Sequence, residues 1–155
     1  MKKVLLSLVL ALATSFAVSA QGLTPYEWKP YKLSFLVPGG ADILKSTNDE
    51  FIVDNDNYKV EIAVINIPLS EDDLSNFLIE KAKQEGMDIS SGEVQTFSNT
   101  GVQGVSLEGP RDGGDQMCVA VLLDEQSETY ILVSVIYADG LQSEANKIIN
   151  SFKIK

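Results

Sequence analysis

Along the chain, apolar and polar positions switch between a period of two and a period near 3.6. Residues 58–67 set Val60, Ile62 and Val64 against Lys59, Glu61 and Ala63, the alternation of a strand with one buried face. Before it, residues 31–37 (Tyr-Lys-Leu-Ser-Phe-Leu-Val) read as a strand stopped by Pro38-Gly39-Gly40, and Phe51-Ile52-Val53 as a short second strand. The run Asp54-Asn55-Asp56-Asn57 is turn-forming, so strands two and three are expected to make a hairpin. The period then changes. Ser70 offers a helix cap, Glu71, Asp72 and Asp73 suit the positive end of a helix dipole, and Leu74, Phe77, Leu78 and Ala82 recur at helical spacing. Lys81 and Lys83 lie near the far end, and Gly86 stops the helix.

Four more strands are predicted over residues 93–98, 102–107, 116–123 and 130–137. Asn99-Thr100-Gly101 is short enough for a hairpin turn, and the connections 108–115 and 124–129 have turn composition, which predicts an antiparallel meander. The last two strands are apolar on both faces. Met117, Val119, Val121 and Leu123 alternate with Cys118, Ala120 and Leu122, as central strands covered on both sides do. A final helix over residues 141–150 carries a stripe of Leu141, Ala145, Ile148 and Ile149 that continues to Phe152. The expected fold is α+β: a mainly antiparallel sheet of six to seven strands flanked by helices on both faces. Residues 21–155 form one expected domain. In the lead-in, Trp28 and Tyr31 read either as an exposed contact patch or as pins for the N-terminal segment.

Residues 1–20 have a basic start (Lys2, Lys3), an apolar run of about 14 residues and a small-residue ending, the three parts of a secretory signal. The run is too short for a membrane span of about 20 residues, and Val18 and Ala20 suit a cleavage site after Ala20. The expected protein is therefore exported, periplasmic or secreted, with no transmembrane segment after cleavage. The full chain holds 12 basic and 22 acidic residues, a net of −10. Cleavage removes two lysines and moves that to −12. This balance argues against nucleic acid as a partner, because phosphates would be repelled. With no histidine, the commonest general base and metal ligand is missing, and so are Ser-His and Cys-His triads. The one cysteine, Cys118, sits in an apolar run and reads as a buried small hydrophobe.

Two acidic loops are the candidate metal sites. Asp54 and Asp56 alternate with asparagines as hard oxygen ligands do in calcium loops, but Lys59 and Ile65 stand where an EF-hand needs glycine and glutamate. Asp112 and Asp115 lie in a glycine-rich loop with Arg111, the only arginine, which suits a cation on its carboxylates or an anion on the guanidinium. That loop is no phosphate cradle, since no Gly-Lys-Ser/Thr follows. No cofactor other than calcium is suggested.

The order strand-strand-strand, helix, four strands, helix resembles the PsbP/Mog-like (DcrB-like) fold family. The resemblance rests on residues 31–39, on the acidic helix start at Ser70, on Gly101-Val102-Gln103-Gly104-Val105 and on Ile148-Ile149-Asn150-Ser151-Phe152. It spans about residues 29–152. Ala41-Asp42 replaces the aromatic usual after the Pro-Gly turn. The resemblance carries no catalytic motif and implies a non-enzymatic accessory or binding module. The leading expectation is thus an exported docking protein acting on an unknown protein or envelope component. The alternatives are a calcium or small-ligand binder using the acidic loops, and a carboxylate-based hydrolase.

Overall fold

The computed structural model describes residues 22–90 and 92–155, so the expected signal segment lies outside the described residues. Ten strands build two sheets. The first two strands, β1 (Thr24–Trp28) and β2 (Leu33–Val37), flank a 3-10 turn at Lys29–Tyr31. Then come β3 (Asp42–Ser46), β4 (Glu50–Asp54) and β5 (Tyr58–Val64). A 3-10 turn at Glu71–Asp73 leads into helix α1 (Leu74–Gln84), followed by β6 (Gln95–Asn99), β7 (Val102–Pro110), β8 (Gln116–Asp124) and β9 (Thr129–Tyr137). Helix α2 (Gln142–Ile149) and the short β10 (Lys153–Ile154) close the chain.

The large sheet has seven antiparallel strands in the order β3-β4-β5-β9-β8-β7-β6. The hairpins of the sequence reading are present, and β9 returns to pair with β5 at the centre. Met117, Val119, Val121 and Ile136 point to one face, where Leu74, Leu78 and Ala82 of α1 cover them. Ala120, Leu122, Val133 and Val135 point to the other, where α2 and a three-stranded sheet (β1-β2-β10) cover them. Each fully buried Val, Leu, Ile or Met among them contributes roughly 1.5–3 kcal/mol, so the central strands, buried twice over, are the framework. Helices on both faces are as expected. The strand at residues 31–37, however, belongs to the small sheet, and β3 supplies the seventh strand of the large one.

Trp28 is buried, its ring lies 5.3 Å from Tyr31, and its Nε1 donates to Thr47 O at 2.9 Å. Of the two readings of this pair, the pin is therefore the observed one. Ser70 acts differently from a backbone cap: its hydroxyl donates to Asp73 Oδ2 at 2.6 Å. At the far end of α1, Gly86 takes a φ of +84°. Its N–H bonds Lys83 O while Met87 N–H reaches Ala82 O, the paired closure a left-handed residue permits.

Candidate functional site

Both acidic loops come to the same end of the large sheet. In the β4–β5 turn, Asn55 Oδ1 accepts the N–H groups of Asn57 and Tyr58, each at 2.8 Å, so this side chain closes the hairpin. The β7–β8 loop folds back on the end of α1. Arg111 N–H bonds Asp115 O, Asp112 N–H bonds Gly86 O, and Arg111 Nε donates to Glu85 O at 2.7 Å. Between the two loops lies an open cleft of about 290 Å³. Asp54, Asp56 and Asp115 line it, with Arg111 and Lys59 on its wall. Asp112 lies outside that lining. Among the described residues, no three Asp, Glu, His or Cys side chains converge closely enough to form a metal-binding group. The spacing of the aspartates showed two separate loops, and only the tertiary fold reveals that they share a cleft.

Two tyrosine–carboxylate pairs, absent from the sequence reading, stand beside this end. Tyr58 O–H donates to Glu144 Oε2 at 2.8 Å, and Tyr137 O–H donates to Glu108 Oε1 at 2.5 Å. Gln142 joins the second pair. Its amide N–H also donates to Glu108 Oε1, and its carbonyl oxygen lies 2.9 Å from the Tyr137 hydroxyl. Burial first, then the bond to Glu144 and its charge, push the Tyr58 phenol from 10.0 up to about 12. Burial and Glu108 raise Tyr137 in the same direction. The folded state thus favours the neutral phenols. Their contribution is fully present below the unfolded value of 10.0 and is lost as pH rises through the folded value. Thermal stability is expected to fall between about pH 10 and 12, and Tyr58→Phe to reduce that fall. An equal alkaline loss in the variant, followed by circular dichroism, would contradict the assignment.

Cys118 is buried as expected, and burial followed by the charge of Glu108 pushes its thiol up to about 12. A thiol so raised stays protonated at neutral pH and is a poor nucleophile.

Elsewhere the molecule offers a surface. β3 is the terminal strand of the large sheet, and all five of its residues are exposed. Ile43 and Leu44 are 51% and 59% exposed, two of the three large exposed hydrophobics among the described residues. A bulge between Ile43 and Lys45 leaves Leu44 without a partner on β4. Such a bulge and an edge lysine discourage indiscriminate strand pairing, which leaves the side chains as the contact surface. Ala41, at the position where the family pattern has an aromatic, packs against the core and lets the chain pass directly into this strand.

The seven-stranded antiparallel sheet between α1 and the layer of α2 and the small sheet defines the PsbP/Mog-like fold class. The chain is similar to the solution structure of cyanobacterial PsbP (CyanoP) from Synechocystis sp. PCC 6803. That match has a TM-score of 0.58 at 15% identity and covers 87% of this chain and 94% of that one. The Ran-binding protein Mog1p of Saccharomyces cerevisiae matches with a TM-score of 0.49 at 8% identity, over 86% of this chain and 95% of that one. No protein-family model and no curated protein sequence matches the chain.

Proposed function

We propose that this chain is an exported, non-enzymatic accessory protein that docks on a protein partner through β3. The observation that carries this reading is the exposed Ile43–Leu44 pair on a terminal strand whose pairing edge is guarded by a bulge. The partner this surface suits has an apolar recess, and the net charge of −12 left after removal of Lys2 and Lys3 favours a basic rim around it. The lack of histidine and the raised thiol of Cys118 support binding over catalysis. Export rests on the pattern of residues 1–20.

The test compares capture by the wild-type chain with capture by Ile43→Glu/Leu44→Glu from envelope extract. Wild type is expected to retain one partner in near-stoichiometric amount, and the variant, folded to the same melting temperature, to lose it. Processed protein is expected to start at Gln21. Equal capture by both forms would remove the β3 reading, and an unprocessed N-terminus would remove export.

The shared cleft of Asp54, Asp56 and Asp115 favours a second reading, a small-ligand or calcium binder. Calcium at about 5 mM is expected to leave the melting temperature of a docking protein unchanged, and a rise of several degrees would favour this second reading instead.

A further inference from the structure

Helix α2 covers only part of its face of the large sheet. Apart from β3, and joined to the acidic cleft through the Tyr137–Glu108 bond, a groove of about 480 Å³ stays open between α2 and the β6–β7 hairpin, within the range of small-molecule sites. Phe97 of β6, Cys118 of β8 and Ile149 of α2 line it, and the same three side chains line a small void of about 10 Å³. These residues give the groove an apolar floor. Its polar lining includes Gln95, Ser106 and Asn146, which can each donate and accept hydrogen bonds, and two carboxylates, Glu93 and Glu108. Among the described residues, no lysine or arginine lines the groove.

Glu108 is held in place. Tyr137 and Gln142 both bond its Oε1, while Oε2 takes no hydrogen bond from any described residue. Its charge reaches the groove floor, where it adds to burial in raising the Cys118 thiol. A fixed carboxylate with one free oxygen, a second carboxylate nearby, no cation from the described residues in the lining and an apolar floor form a recognisable combination. An ammonium can bond Glu108 Oε2 while the rest of the ligand displaces water from the floor.

We propose that this groove binds a small organic cation, with its ammonium on Glu108 and its apolar body against Phe97 and Ile149. The site is independent of docking through β3, so either can fail alone. The test titrates the full chain with 2-phenylethylammonium and, separately, with uncharged 2-phenylethanol, following backbone amides by NMR. The amine is expected to shift Phe97, Glu108, Cys118 and Asn146 saturably, and the alcohol to bind about tenfold more weakly. Glu108→Gln keeps an acceptor for Tyr137 and is expected to weaken the amine about tenfold. Glu93→Gln is expected to weaken it less, and Glu125→Gln, on the exposed β8–β9 turn, to leave it unchanged. Equal binding of amine and alcohol, no saturable shift, shifts centred on the Asp54–Arg111 cleft, or equal losses in Glu108→Gln and Glu125→Gln would each overturn the proposal.

Discussion

Gly104→Ala is expected to lower the unfolding midpoint by about 10 °C or more, equivalent to ~3 kcal/mol for a domain of this size. Gly104 lies in β7 opposite Leu122 of β8. A Cβ built there would overlap the carbonyl oxygen of Val121 and stand 2.9 Å from its carbon. Both atoms are backbone of a central strand buried on both faces, so neither can yield without breaking the β7–β8 ladder. Gly101, three residues earlier, has the same constraint against the backbone of Ile154 and a φ of +71° besides. A melting curve of Gly104→Ala matching wild type would show that β7 and β8 do not approach as described.

Phe35→Ala is expected to cost ~3–5 kcal/mol, read as a lower denaturant midpoint. Phe35 is the hub of the layer that covers the large sheet. Its ring lies 5.7 Å from Tyr26 of β1, 5.4 Å from Phe51 of β4 and 5.0 Å from Phe152 beside β10. One side chain therefore ties both neighbours in the small sheet to the large sheet. Its loss leaves a cavity among rings that cannot collapse together, because each is fixed by a different strand. Phe35→Leu, which keeps most of the volume, is expected to cost less than half as much. Equal costs for both variants would mean that the retained volume contributes nothing and that the ring contacts alone hold the layer.

The strongly patterned elements were legible because burial imposes a period. β5 shows one buried face by alternation, β8 and β9 show two by continuous apolar runs, and α1 shows its stripe at Leu74, Leu78 and Ala82. β1 and β3 were not legible. Pro25 and Pro30 mask the first, and the second has no buried face and hence no period to read. β10 is two residues long and exists only because it meets Leu33 and Ser34. The candidate sites follow the same rule. Asp54, Asp56, Asp112 and Asp115 stood out as residue types, yet the meeting of three of them depends on β5 pairing with β9. The Glu108 groove was invisible because its lining comes from β6, β7, β8 and α2, brought together by long-range pairing alone. Gly101 and Gly104 were visible as part of a family pattern, and the structure supplies the reason: both sit against backbone where no side chain fits.

Docking as proposed makes β3 the working surface. Its most direct measurement replaces Leu44 with a photo-reactive amino acid in the full-length chain and illuminates intact cells, with exposed Glu80 of α1 replaced in parallel. One discrete adduct is expected from position 44, absent from position 80 and abolished by Ile43→Glu. No adduct at position 44, or the same products from both positions, would contradict it.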